Sequence, residues 1–287
     1  MAEYDTVAIV GVGLIGGSIG LALRERKLAQ NIVGVGRRQA NLDVARQVGA
    51  IDHGVTSLAT GVAHAQLIVV CTPVDTIAEK VIQAAAACPA GSLITDAGST
   101  KETIVSAADA GLASRRSGPR FVGSHPLAGD HRTGASHARS DLFDGRVVVV
   151  TPTPLTRPAA VTEVSGFWQS LGAEVHTMTP AEHDAALATT SHLPHLVASA
   201  LAAATPHELL PLAASGWRDT TRVAGGDPQL WQAIFAANRQ NVLDALDRLS
   251  QVLAGIRENL EQGDYESLAL VLQQAAKTRQ DRNALGD

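Results

Sequence analysis

Between residues 6 and 177 the chain alternates short apolar, β-branched runs with stretches whose apolar positions recur every three or four residues. Fully apolar or period-two runs mark strands and a 3.6-residue period marks amphipathic helices, so the pattern predicts a parallel sheet wrapped by helices. The predicted strands are Thr6 to Val10, Ile32 to Val35, Leu67 to Cys71, Ser92 to Thr95, Arg120 to Val122, Val147 to Val150 and Glu174 to Thr177. Leu67 to Cys71 (LIVVC) and Val147 to Val150 (VVVV) are apolar on both faces, which places them in the middle of the sheet. At Thr179 the character changes. Thr179, Pro180, Ala181, Glu182 reads as a cap with proline at the first helical position, and only helical periods follow. The expected organisation is an α/β domain over 1–178 and an all-helical domain over 179–287.

The last predicted helices, Leu230 to Asn259 and Tyr265 to Arg282, carry Leu243, Leu246, Leu249, Val252, Leu253 and Ile256 at three- and four-residue steps. Such stripes exceed what one helical layer buries, and they predict a homodimer joined through the helical domain. With 45% apolar and 18% charged residues, the 287-residue chain falls in the globular range. No apolar run approaches the roughly 18 residues that span a bilayer, and MAEYDTVAIVG enters a strand without a signal peptide's regions, so a cytoplasmic protein is expected. A net charge of -5 with no basic stripe argues against nucleic acid as partner. Cys71 and Cys88 give neither a disulfide framework nor metal-ligand spacing.

Gly11, Gly13 and Gly16 form GVGLIG between the first strand and a helix beginning near Leu14. The first glycine makes the tight turn, the second lets backbone approach a pyrophosphate, and the third packs helix against strand. The helix N-terminus adds a positive dipole. The first domain is therefore expected to be a Rossmann-type dinucleotide-binding domain. Leu14 and Ile15, with Thr72 and Pro73 after the Leu67 strand, are expected to join the cofactor site. NAD-binding versions place an acid about twenty residues after the fingerprint to bond the ribose 2′-hydroxyl. This chain has Gly36, Arg37 and Arg38 there. Paired guanidinium groups suit a 2′-phosphate and favour NADP, unless the arginines face solvent or stack on adenine and NAD serves as well.

Chemistry beyond the nucleotide loop clusters in a few polar segments. Gly123, Ser124, His125, Pro126, Leu127, Ala128, Gly129 places an imidazole on an expected glycine-flanked turn. A ring with pKa near 6.5 can take a hydroxyl proton while a nicotinamide takes the hydride. Asp96, Ala97, Gly98, Ser99, Thr100, Lys101 follows a strand at the carboxyl edge, where ligands of open α/β sheets bind. Ser191, His192, Leu193, Pro194, His195 puts two imidazoles on one helix face. Arg222 and Trp231 flank the helix break Gly225, Gly226, Asp227, Pro228.

Together GVGLIGGSIG, DAGSTK, GSHPLAG, SHLPH and TRVAGGDPQLW resemble, in order and over nearly the whole chain, the prephenate and arogenate dehydrogenases of tyrosine biosynthesis. The resemblance implies an NAD(P)-dependent oxidoreductase: hydride leaves the ring carbon bearing the hydroxyl, the ring carboxylate leaves as carbon dioxide, and the ring becomes a phenol. It implies His125 as the catalytic acceptor of the hydroxyl proton, Ser99 as the serine keeping histidine and hydroxyl in register, and Arg222 as the anchor of a substrate carboxylate. Ser191, His192 and His195 would line the substrate pocket, with Trp231 in its wall and the site in the cleft between the domains. Some family members carry a gating glutamate six residues after the histidine; His131 stands there and joins the expected substrate set. Asp130 beside it would add a negative charge favouring the amino group of arogenate.

Plainer roles stay open for several of these residues. His192 and His195, with His183 nearby, could be core histidines; metal binding is not expected, since no suitably spaced cysteine or acid accompanies them. Trp231 could be core, Arg222 a helix-terminal charge, and Ser99 a helix cap. A 3-hydroxyacid dehydrogenase using a catalytic lysine is the first alternative. Lys27, Lys80, Lys101 and Lys277 leave the helical half only a lysine near its end, which counts against it. An imino acid reductase has no need of the His125 loop, and a noncatalytic NADP-sensing protein would tolerate loss of His125, Ser99 and Arg222. The length leads us to expect no appended regulatory domain.

Overall fold

The computed structural model describes residues 3–113, 118–130 and 132–284, so His131 lies outside the described residues. The chain forms two compact units, 1–239 and 240–287. The first is built on an eight-stranded sheet. In chain order its strands are β1 (Tyr4–Val10), β2 (Ala29–Val35), β3 (His53–Val55), β4 (Leu67–Val70), β5 (Leu93–Asp96), β6 (Arg120–Pro126), β7 (Val147–Thr151) and β8 (Glu174–Thr177). Their spatial order is β3-β2-β1-β4-β5-β6-β7-β8. Every neighbouring pair runs parallel except β6 and β7, which are antiparallel.

This is the expected Rossmann-type sheet with one reversal, and the reversal matters for the site. β6 does not stop at Val122. It continues through Pro126, and His125 sits in the ladder opposite Val149, so the histidine is held by strand pairing and not by a turn. The apolar run of β4 is central and wholly buried, as its sequence requires. β7, the other such run, is instead next to the edge strand. Its apolarity comes from cover on its faces: Val148 and Val150 share a core with Val164, Phe167 and Trp168 of α6 (Pro158–Ser170), and α7 (Pro180–Leu187) also packs on the strand. β3 has three residues, none fully buried, which left no hydrophobic signature to read.

Helices α1 (Leu14–Glu25), α2 (Gln39–Gln47), α3 (Leu58–Val62), α4 (Val74–Ala87) and α5 (Glu102–Leu112) connect the strands of the nucleotide half. One face of the sheet buries Ile9, Ile19, Leu23, Phe143 and Phe167 around Trp168; the other buries Val10, Ile77, Val81, Ile94 and Ile104. Ile234 of α10 (Pro228–Ala237) belongs to that second core, so part of the helical segment is anchored on the sheet within one compact unit.

The helical segment opens at α7 with a complete capping box: the Thr179 hydroxyl accepts from the Glu182 backbone N–H, and the Glu182 carboxylate accepts from the Thr179 N–H. A π-helical turn, Ala188–His192, joins α7 to α8 (Leu193–Ala204), and α9 (Ser215–Thr221) follows. The single helix expected from Leu230 onward is broken at Asn238 into α10 and α11 (Arg239–Gln262). Asn238 is buried and bonds the Asp184 carbonyl and His192, so a tertiary contact overrides the helical period there. Residues 240–287 carry most of α11 and α12 (Tyr265–Ala284), on which Leu243, Val252, Leu253, Leu260, Tyr265, Leu270 and Leu272 are exposed. Among the described residues no helix is long and apolar enough to cross a membrane.

Candidate active site

The glycine loop has the shape a dinucleotide needs. Gly11 sits at φ +95°, and a Cβ there would lie 2.6 Å from the Cys71 carbonyl oxygen. A Cβ on Gly16 would lie 2.2 Å from the Gly11 oxygen, so no other residue allows α1 to pack this close to β1. Gly13, the N-cap residue of α1, has open space where a Cβ would be. No side chain caps α1 and no acid stands in its first turn, which leaves the N–H dipoles around Leu14 and Ile15 facing outward without a competing anion. Thr72 abuts Gly11 at the end of β4, with its hydroxyl bonded to Thr76, and Pro73 is the N-cap residue of α4. The structure thus brings Gly11, Gly13, Leu14, Ile15, Gly16, Thr72 and Pro73 to one edge of the sheet, and these residues fit a bound pyrophosphate. Arg37 and Arg38 follow β2; both are exposed, with no ion pair to another described residue.

Deeper in, β5 and β6 are tied together by a buried ion pair. The Lys101 ammonium meets the Asp96 carboxylate with both side chains fully buried, and it also donates to the Ser124 carbonyl at 2.9 Å. Asp96 accepts further from the backbone N–H groups of Gly98 (2.9 Å) and Ser124 (3.1 Å). The Ser124 hydroxyl donates to the Asp96 carbonyl at 2.6 Å and accepts from the Trp168 indole at 2.9 Å. Lys101, Asp96 and Ser124 thus satisfy one another's polar groups, which is the condition for tolerating charge in a core.

His125 emerges from that frame. Its Nδ1 lies 2.9 Å from His183 Nε2, and His183 Nδ1 lies 2.7 Å from Asp184 Oδ1. The same Asp184 carboxylate accepts from the backbone N–H groups of Lys101 (2.7 Å) and Glu102 (2.9 Å), capping α5 from α7. Burial, His183, Lys101 and His192 together hold the His125 pKa well below its ordinary 6.5. His125 is therefore neutral at physiological pH and available as a proton acceptor.

The helical side contributes an aromatic and imidazole wall. His195 stacks on Trp231 with ring centroids 3.6 Å apart and planes 13° apart, and His192 meets the same indole edge-on. Gly226 lets the pair close, since a Cβ there would lie 2.7 Å from the indole nitrogen. The His195 Nδ1 is buried without a partner among the described residues, a polar atom whose unmet bond points to a ligand. His192 accepts from Asn238 at 3.1 Å, and burial lowers its pKa to about 4. Ser191 is half-buried on the π-helical turn, a distortion frequent at functional sites. Arg222 is exposed at the end of α9 with no described partner, while Trp231 is wall and core at once.

Not every expected contact is present among the described residues. Ser99 is half-buried and makes no hydrogen bond to His125 among the described residues; the group bonded to the histidine is His183. Nor does Ser99 cap α5, because Asp184 does. Asp130 offers no free charge, since it pairs with Arg132 at 2.7 Å. No cluster of three or more His, Cys, Asp or Glu among the described residues is arranged to hold a metal ion. Sequence reasoning placed Lys101 in the segment after β5 without foreseeing its pairing with Asp96, and it missed Asp184 and the role of His183; the adjacent His-Asp pair after the Thr179 cap was the available signal.

Removing one member of the buried pair should be expensive. Lys101→Met strands the Asp96 carboxylate and is expected to lower stability by about 3–5 kcal/mol in urea unfolding, with Asp96→Asn added to it recovering part of the loss. A loss under about 1 kcal/mol would show that the pair does not hold the ends of β5 and β6 together.

Known proteins resemble this chain along both its parts. The nucleotide-binding domain of prephenate dehydrogenase, as a family model, matches residues 19–177, and the prephenate dehydrogenase dimerization domain matches 179–274. Prephenate dehydrogenase of Bacillus subtilis is 36% identical over 271 residues, covering 92% of this chain and 72% of that one. Cyclohexadienyl dehydrogenase of Zymomonas mobilis is 30% identical, with 92% of each chain covered. The crystal structure of prephenate dehydrogenase from Aquifex aeolicus in complex with hydroxyphenyl propionate and NAD+ superposes with a TM-score of 0.89 at 30% identity, covering 96% of this chain and 98% of that one. Synechocystis arogenate dehydrogenase gives 0.81 at 30% identity, over 96% and 99%. With matches along both parts and a relative 36% identical over 92% of its length, the chain belongs to the prephenate dehydrogenase family.

Proposed function

We propose that this protein oxidatively decarboxylates prephenate to 4-hydroxyphenylpyruvate, or arogenate to tyrosine, with NAD(P)+ as hydride acceptor. The observation that carries the reading is the neutral, half-buried His125, bonded through Nδ1, on the same sheet whose edge bears the glycine loop. Gly11, Gly13, Leu14, Ile15, Gly16, Thr72 and Pro73 would hold the dinucleotide, which supplies the hydride acceptor when bound. His125 Nε2 takes the proton of the ring hydroxyl as the carbon beneath it loses hydride and becomes a carbonyl. The pair from the carbon–carboxylate bond then flows into the ring as carbon dioxide leaves, and the resulting phenolate oxygen takes the proton back from His125.

The remaining roles follow from chemistry and position. Arg222, uncommitted and permanently charged, is suited to hold a substrate carboxylate. His195 offers its unpaired Nδ1, and Ser191 and His192 stand beside it, with Trp231 as the flat surface behind. Ser99, whose hydroxyl has no described partner, is free to bond the ring hydroxyl, and His131, six residues after His125 in the sequence, completes the substrate set. We place the boundary between the cofactor and substrate parts at Met178 and Thr179, where the capping box opens the helical segment. We further infer a cytoplasmic homodimer assembled through that segment, supported by the match to a dimerization domain and by the exposed leucines of α11 and α12.

Arg37 and Arg38 support a preference for NADP over NAD. Steady-state kinetics with both cofactors should give the higher kcat/KM with NADP+, and Arg37→Ala with Arg38→Ala should erase that preference; equal efficiencies in the unmodified protein would refute it. His125→Asn should lower kcat by about 100- to 10,000-fold with substrate KM little changed. Because the His125 pKa lies below 6.5, the acid limb of kcat/KM for the unmodified protein should fall below pH 6.5, where the base becomes protonated. Near-normal turnover of His125→Asn on both substrates would overturn the assignment.

A further inference from the structure

We propose that His183 and Asp184 form a relay behind His125 that fixes its tautomer and receives a proton from it during turnover. The chain of atoms is continuous: Asp184 Oδ1 to His183 Nδ1 at 2.7 Å, then His183 Nε2 to His125 Nδ1 at 2.9 Å. Both His183 and Asp184 are buried, so no exposed surface competes for these bonds. The inference rests on His125 being the base of the reaction.

The direction of each bond follows from what its partners can do. Both Asp184 oxygens already accept from backbone N–H groups, those of Lys101 and Glu102 at the start of α5. A backbone N–H only donates, so the carboxylate acts as acceptor toward His183 as well, and His183 Nδ1 carries the proton of that bond. A neutral His183 then presents a bare Nε2. That bare nitrogen requires a proton on His125 Nδ1, and a neutral His125 with its proton on Nδ1 has its lone pair on Nε2, the form that accepts a hydroxyl proton. Without the relay, the ring could place its proton on either nitrogen. Half of the choice would be the wrong tautomer.

The same bonds give the proton somewhere to go. As the ring hydroxyl transfers its proton to His125 Nε2, the Nδ1 proton of His125 passes to His183 Nε2. One N–H bond forms and one breaks at His125, which stays neutral, and the positive charge rests on His183 against the Asp184 carboxylate. When the phenolate forms, the proton returns by the reverse transfers, so no proton is gained or lost over the cycle. The gain is electrostatic. Positive charge on His125 would stand near the buried Lys101 ammonium, whereas on His183 it is hydrogen-bonded to a carboxylate that faces the N-terminus of α5.

His183 is thus a positioning residue, and the test must separate that role from simple packing. We measure kcat and both KM values for His183→Phe and His183→Gln, alone and combined with His125→Asn. The relay predicts that His183→Phe lowers kcat by about 100-fold with both KM values within about threefold. Glutamine, whose amide oxygen can accept from His125 Nδ1, should recover to within about tenfold of the unmodified protein. On the His125→Asn background both changes should alter kcat by less than about twofold, because the residue they act through is gone. Equal losses in both backgrounds, or a threefold or smaller loss for His183→Phe alone, would overturn the proposal. If these variants do not fold, the unmodified protein decides: proton NMR should show two strongly downfield imidazole N–H resonances, one of which is lost in His125→Asn, and the absence of that pair overturns the relay. Inactivity of the unmodified protein on both substrates would instead remove the assignment of His125 on which the relay stands.

Discussion

The Lys101 ammonium buried against the Asp96 carboxylate is the interaction on which the site depends. Two opposite charges leave water completely where β5 ends beside β6, and their attraction only offsets a desolvation penalty of several kcal/mol per ion. Such a pair is weak as a source of stability and strong as a source of geometry. Lys101 also holds the Ser124 carbonyl, Asp96 holds the Ser124 N–H, and the Ser124 side chain is held by the Asp96 carbonyl and the Trp168 indole. The residue immediately before His125 is therefore fixed from several directions, and the strand carries that constraint to the imidazole.

A second carboxylate extends the frame into the helical segment. Asp184 caps α5, the helix that begins at Lys101, and its neighbour His183 reaches back to His125. Asn238, at the break between α10 and α11, bonds the Asp184 carbonyl and His192, so the same short stretch of α7 is gripped from both ends. Positive and negative groups alternate through this interior. Its effect on His125 is to favour the neutral ring, since burial and the nearby cationic and imidazole groups all oppose a second positive charge. The glycine loop leaves the N-terminus of α1 uncapped at the edge of the same sheet, where the proposed dinucleotide would supply the hydride acceptor.

Much of this was legible in the sequence because it obeys local rules. GVGLIG needs glycine at each position for reasons of space that the structure reproduces at Gly11 and Gly16, and Thr179 with Glu182 announces its helix by the capping box alone. The strands with apolar runs declared themselves, whereas β3 was too short and too exposed to do so. What stayed hidden depends on pairing between distant segments. The antiparallel β7 carries β6 past Val122 and takes His125 out of its expected turn. Asn238 interrupts a good helical period because its amide has buried partners 54 and 46 residues away. Neither Lys101, in the polar segment after β5, nor Asp184 carries a local sign of its partners, and only their burial and a bond across 83 residues reveal them as framework.

The central claim is that this buried frame delivers His125 as a neutral base with a bare Nε2. Long-range proton–nitrogen correlation spectra of the histidine-labelled protein, with the His125 signals assigned by their absence in His125→Asn, measure that state directly. At pH 7.5 the Nδ1 of His125 should show the shift of a protonated nitrogen and Nε2 that of a bare one. A protonated Nε2 or a doubly protonated ring at that pH would contradict it.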